Sequence, residues 1–203
     1  MKHVSRPRVL FAAVLVLLAI LPAAASAGPE PAACGQPVSQ PFLRWLDPGR
    51  YFLAPDGGFE SGASGWALAG GAAVAGGNEP WHVAGAADGR ALALPPGAAA
   101  VSPPVCVGLA DPTTRLFVRN TAPLGLGVLV VSAEVRVAGL DAVVPVGVVV
   151  AGSGYGPTLP LPLLANLTAP LSSGGAAEVR LRFLAVGGSW QVDDVYVDPF
   201  RVG

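Results

Sequence analysis

Charge is scarce in this sequence of 203 residues: Asp, Glu, Lys and Arg make up 12% of it, with 12 basic against 13 acidic side chains. No basic patch stands out, so the electrostatic footprint that draws nucleic acid is missing. Histidine is scarcer still, with only His3 and His82. A Ser-His-Asp hydrolase would have to use His82, which follows Gly77-Asn78-Glu79-Pro80-Trp81 and reads as a loop residue. Nor is there a nucleophile elbow: Gly152-Ser153-Gly154 lacks the G-x-S-x-G spacing, having Ala151 and Tyr155 outside it. Two cysteines and so little histidine leave no zinc constellation. The glycine-rich stretches lie between short β-like segments with no helix behind them, which excludes a phosphate loop. Carboxylates are present at Glu60, Glu79, Asp88, Asp111 and Asp141, but no spacing singles out a glycosidase pair. The sequence reads as that of a non-enzyme.

Long apolar runs are also missing, except at the start. Lys2, Arg6 and Arg8 precede an unbroken apolar run over residues 9–20, then Pro22 and a small-residue stretch ending Ala25-Ser26-Ala27. Basic, apolar and A-x-A regions in that order are those of an export signal, so residues 1–27 are expected to be a signal peptide and the mature chain to be secreted, extracellular. Pro22 cuts the run short of the roughly 20 residues a membrane anchor needs. The mature chain has no further candidate span, and it retains 9 of the basic residues and all 13 acidic ones, a formal charge of −4. Cys34 and Cys106 both fall in it, and an oxidising compartment makes a disulfide between them the expectation. The competing reading, lipidation of Cys34 after Ala32-Ala33, is opposed by Glu30 and Pro31, which separate that cysteine from the apolar run.

With 27 Gly and 21 Pro and no sustained 3.6-residue apolar period, long helices are not expected. Period-two alternation is clear. Over residues 131–137, Ser132, Glu134 and Arg136 alternate with valines and Ala133, and over 177–183, Glu178, Arg180 and Arg182 alternate with Val179, Leu181 and Phe183. Both read as strands with one wet face. Residues 143–151 are apolar on both faces apart from Pro145 and Gly147, the pattern of a strand sandwiched in a core. Further short strands are expected at 91–94, 99–101, 105–109, 116–119, 126–131 and 189–197. Together these predict an all-β domain over 51–203, an antiparallel β-sandwich of jelly-roll topology, preceded by an irregular arm over 28–50.

Two motifs go further. Asp56-Gly57-Gly58-Phe59-Glu60-Ser61-Gly62, followed by Gly65-Trp66, resembles the opening strand of carbohydrate-binding and galactose-binding-like jelly-roll modules. Trp190-Gln191-Val192-Asp193-Asp194-Val195-Tyr196-Val197 is similar to their closing strand. The resemblance brackets residues 56–198 and implies an exported bacterial module that binds carbohydrate without catalysis, its partner a polysaccharide or cell-envelope glycan. It also implies a structural calcium at Glu60 and Asp193, with Asp56, in place of the usual Asn, either adding a ligand or capping the turn. Calcium takes about six to eight hard oxygen ligands, which carboxylates and turn carbonyls can supply. Simple alternation sends Asp194 to the side opposite Asp193, beside Trp190, Val192 and Tyr196, where it faces solvent or pairs with a residue such as Arg182.

Aromatic rings hold sugars by stacking on their apolar faces. Loop candidates are Trp45, Tyr51, Trp81 and Tyr155, of which Trp45, Trp81 and Tyr155 are the expected ligand residues. The resemblance makes Trp66 and Trp190 core residues. With aromatics at 7% the set is not enriched, which leaves a structural or protein-interaction sandwich as the alternative.

Overall fold

The computed structural model describes residues 34–137, 139–172 and 174–202, with residues 201 and 202 described by backbone alone. The expected signal peptide lies outside these residues.

Alternation decides which segments become strands and which face they bury. β1 (Val38–Ser39), β2 (Gly49–Leu53), β3 (Ala67–Ala69), β4 (Ala73–Gly76), β5 (Arg90–Leu94), β6 (Ala99–Val101), β7 (Val105–Gly108), β8 (Thr113–Asn120), β9 (Val128–Val137), β10 (Leu140–Val149), β11 (Gly156–Pro157), β12 (Leu161–Pro162), β13 (Ala176–Val186) and β14 (Trp190–Val202) form two antiparallel sheets. In the six-stranded sheet β13 is central, with β9 then β10 on one side and β6, β7 and β3 on the other. In the eight-stranded sheet β14 is central: β8 runs along one side, and β5 then β2 share the other.

β9 and β13 bury every second residue, Leu129, Val131, Ala133 and Val135 on one and Ala177, Val179, Leu181, Phe183 and Ala185 on the other. These meet Phe52, Leu92, Leu94, Leu116, Val118, Trp190, Val192, Val195 and Val197 from the opposite sheet. Each large side chain so buried contributes about 1.5–3 kcal/mol. Trp66 and Trp190 are core residues, and Trp66 stacks on Phe183 with centroids 5.9 Å apart.

Residues 143–151 do not form a sandwiched strand. Among the described residues β10 pairs only with β9 and is the sheet edge, leaving Val143 64% and Val148 62% exposed. Pro145, which cannot donate to a ladder, sits at the irregularity in its register, as edge strands tolerate.

The expected irregular arm contains β1, a 3-10 turn at Leu43–Trp45 and the first residues of β2. Phe42 is fully buried on the outer face of the eight-stranded sheet, its ring 4.1 Å from the Arg115 guanidinium, which also pairs with Asp47. The Cys34–Cys106 disulfide is formed, with a Cα–Cα distance of 5.3 Å, and ties this segment to β7. A 3-10 segment, Leu164–Leu171, closes one end of the sandwich by burying Ala165, Asn166 and Ala169. Asn166 Nδ2 donates to the Leu109 carbonyl at 2.9 Å. Among the described residues no helix is long and apolar enough to cross a membrane.

Candidate functional site

The closing strand announces its own irregularity. Trp190 and Val192 face the core, and so do Val195 and Val197. Even and odd positions can share a face only if one residue is extra. Asp193 lies opposite Phe117 and Tyr196 opposite Arg115, three steps on β14 against two on β8. The extra residue makes a bulge, and Asp194 has φ 47°. Asp and Asn are the non-glycine residues best suited to that left-handed conformation. The bulge coincides with the handover from β5 to β2, and the opening turn fills the gap: Val195 N donates to the Gly57 carbonyl at 3.1 Å and Ala54 N to the Val195 carbonyl at 2.8 Å.

Asp194 therefore does not keep company with Trp190 and Val192, and it meets neither solvent nor Arg182, which pairs with Glu134 instead. It is fully buried, and among the described residues neither of its carboxyl oxygens has a hydrogen-bond partner. Glu79, Asp88 and Asp194 each present an oxygen such that all three lie within 4.8 Å of one another. Both Asp88 carboxyl oxygens are likewise buried without a partner. Asp193 adjoins the group, taking the Glu79 amide on Oδ2 at 3.1 Å and the Asp194 amide on Oδ1 at 2.9 Å. Glu79 itself accepts the Trp81 amide on Oε2 and the Val83 amide on Oε1, both at 2.5 Å.

In so little water the three aspartates of this region resist ionisation. Burial first, and the neighbouring Asp193 charge second, push Asp194 up to about 9. Burial raises Asp193 to about 8, with the Asp88 and Glu79 charges adding to it and the amides of Glu79 and Asp194 opposing. Asp88 is raised by burial and by Glu60 beside it. A divalent cation removes that conflict in one step, and hard oxygen donors fit calcium. The glycine of the opening turn fits too: a Cβ on Gly58 would stand 3.0 Å from Asp194 Oδ1. A depression of about 220 Å³ beside the cluster has Gly58, Glu60 and Asp88 in its wall.

The residues expected to hold calcium are arranged differently. Glu60 is exposed and its Oε1 accepts the Gly89 and Arg90 amides at 2.8 and 2.7 Å, which hold it below its usual value against the slight burial that works the other way. Asp56 caps its own turn, taking the amides of Ser61 at 2.9 Å and Ser64 at 2.6 Å. Asp193 is adjacent to the cluster but spends its oxygens on amides. The acids brought together are Glu79 and Asp88 from the β4–β5 connection and Asp194 from the bulge. The aliphatic pattern Val192, Val195, Val197 carried the signal for Asp194; nothing local marks Glu79 or Asp88.

The same connection reaches the aromatic face. On the outer side of the eight-stranded sheet, Phe42, Tyr51, Phe117 and Tyr196 form a buried cluster against which Trp45, Trp81, Val83 and Tyr155 pack half-exposed. Trp45 meets Trp81 edge to face at 4.8 Å, and both contact Phe117, at 5.3 and 5.8 Å. Arg44 lies over Trp81 at 5.9 Å and Arg119 over Tyr155 at 4.7 Å. Gln191 Oε1 accepts from Arg119 Nε at 2.7 Å and from the Tyr155 hydroxyl at 3.2 Å. The three expected ligand aromatics thus share one face. Tyr51 is buried, its hydroxyl donating to Asp47. His82 is an exposed loop residue whose Nδ1 bonds the Asp88 carbonyl at 2.9 Å. The outer face of the other sheet bears a depression of about 420 Å³, lined by Glu134, Arg136, Asp141, Val143, Glu178 and Arg180, with no aromatic among its lining residues.

No family model matches the sequence, and no curated protein does. Among solved structures, the family 22 carbohydrate-binding and family 10 glycoside hydrolase modules of the Clostridium thermocellum endo-1,4-β-D-xylanase 10B superpose with a TM-score of 0.49 at 13% identity, over 69% of this chain and 27% of that one. A tandem family 22 carbohydrate-binding pair from Paenibacillus barcinonensis gives 0.48 at 14% identity, over 74% of this chain and 44% of that one. The family 6 module of a laminarinase from Zobellia galactanivorans gives 0.41 at 9% identity, over 68% and 95%. The chain spans less than half the length of the first two. Likeness of this degree says nothing about what this chain binds.

Proposed function

We propose that this chain is an exported, non-catalytic β-sandwich module that binds carbohydrate through the face formed by Trp45, Trp81 and Tyr155. The observation that carries the reading is the convergence of these three half-exposed rings, from three separate connections, on one sheet face beside Arg119 and Gln191. Rings present apolar faces for a pyranose, while guanidinium and amide groups at their edge serve its hydroxyls. The partner is a polysaccharide or cell-envelope glycan outside the cytoplasm. Glu79, Asp88 and Asp194 are the residues that hold calcium, which supplies the positive charge the buried cluster lacks.

The test is retention on a panel of immobilised polysaccharides, repeated with Trp81→Ala. Loss of a half-exposed stacking ring is expected to weaken binding by about 1 kcal/mol or more, roughly a five-fold or greater drop in affinity. A chain retained by no glycan, or retained equally without Trp81, would rule the reading out. One observation favours a second reading, a protein-interaction sandwich: the edge strand β10 exposes Val143 and Val148 on its outer face. Co-purification of a protein partner lost on Val143→Lys would support it.

A further inference from the structure

Residues 77–89, between β4 and β5, have little backbone to hold them. Gly77 N bonds Gly89 O at the base, and Gly85 N and Asp88 N close turns onto His82 O and Gly85 O. The amides of Trp81 and Val83 go to the side chain of Glu79 instead, both at 2.5 Å. A carboxylate therefore does for this connection what a strand or helix ladder does elsewhere. It sets the backbone of the residue that carries the Trp81 ring onto Trp45 and Phe117.

That same carboxylate faces Asp88 and Asp194. Its two oxygens offer about four lone-pair sites, so two amides leave room for a cation on the side of the cluster. The acid cluster is supported by an independent feature: Asp194 is fully buried with both carboxyl oxygens unpartnered among the described residues. A cation in the cluster would bind the same carboxylate that holds the Trp81 and Val83 amides, so its occupancy and the position of Glu79 are linked. With the charge compensated, attraction holds it where both amides reach it.

We infer that Glu79 is a positioning residue that makes the aromatic face depend on the cation: occupancy of the buried acid cluster fixes Glu79, and Glu79 fixes Trp81. This rests on the cation reading above and adds to it a link between two sites that share one short connection. A cation holding only the sandwich together would stiffen the strand ends and leave the Trp81 amide as it was.

Amide hydrogen exchange resolved by residue separates these cases, with calcium binding measured on the same sample by calorimetry against an EDTA-treated control. Saturating calcium is expected to slow exchange of the Trp81 and Val83 amides by about ten-fold or more, while the Leu181 amide in the core strand β13 changes far less. Asp88→Asn is expected to bind calcium more weakly yet reach the same Trp81 protection at saturation, because Glu79 is intact. Glu79→Gln is expected to lose that protection even where calcium still binds, and Glu79→Asp, with its shorter reach, to restore it only in part. Calcium binding with unchanged Trp81 and Val83 exchange overturns the coupling and leaves the cation site standing. Absence of calcium binding overturns the cation reading and the coupling with it.

Discussion

Replacing Asp194 by Asn separates the charge of the acid cluster from its shape. Asn is nearly isosteric and is equally at home in the left-handed backbone that the bulge imposes, so the substitution leaves β14 undisturbed. What it removes is an acid lifted from 3.8 to about 9. At pH 7 the largest cost such a group can impose on the cation-free fold is that of protonating an ordinary carboxylate, about three pH units at 1.36 kcal/mol each, or about 4 kcal/mol. The buried amide that replaces it has polar atoms of its own to satisfy, which takes back about 1–3 kcal/mol. The net is a gain of about 1–3 kcal/mol for the variant in EDTA, and at about 2–4 °C per kcal/mol for a domain of this size a rise in melting temperature of several degrees. Calcium reverses the order. At about a hundred times its dissociation constant it stabilises the parent chain by about 2.7 kcal/mol, and the variant, short of one ligand, gains much less. Thermal melts of the two proteins in EDTA and in calcium therefore change places or close most of the gap. If Asp194→Asn melts below the parent by the same margin in both buffers, Asp194 is a structural carboxyl and the cation site does not exist.

The pH dependence of the cation-free protein follows from the same groups. Folded values of about 8 for Asp193 and about 9 for Asp194 stand above the ordinary 3.8, so the folded state binds more protons and stability falls as pH rises. The EDTA-treated chain is expected to melt higher near pH 5 than near pH 8, and denaturant titrations at the two values check the sign. Gly58→Ala, whose Cβ would stand 3.0 Å from Asp194 Oδ1, is expected to weaken calcium binding measured by calorimetry while changing the melt in EDTA little. Reducing the Cys34–Cys106 bond opens a loop of 72 residues and is expected to cost about 4 kcal/mol by the chain-entropy model, read as a lower denaturation midpoint in reductant.

Where alternation is regular, the sequence placed strands to within about three residues at either end. β9 and β13 carry charged residues on one face and aliphatics on the other, and the fold uses both as written. β10 shows the limit of that logic. Apolar residues on both faces describe a strand buried between two layers, yet they are also compatible with an edge, and only the pairing of β10 with β9 alone decided it. β3 and β4 offered little signal because alanine and glycine, which dominate them, have no strong strand preference; they exist because β6 and β5 accept them as partners. The arm was underestimated for a related reason. Its order comes from Phe42 docking on Phe117 and from Arg115 meeting Asp47, contacts more than 60 residues apart in the chain.

The disulfide partners and the two-layer all-β architecture were set by residue types and their spacing, because two cysteines leave one pairing and a period of two allows one buried face; the core roles of Trp66 and Trp190 came from the resemblance of the opening and closing motifs. The acid site belongs to tertiary structure. One extra residue in β14 turns Asp194 inward, out of the alternation its neighbours imply, and a connection more than 100 residues earlier brings Glu79 and Asp88 to meet it. Spacing along a chain governs what adjacent side chains do. Which carboxylates share a pocket depends on strand order and on a bulge, and those are settled only when two sheets close around a core.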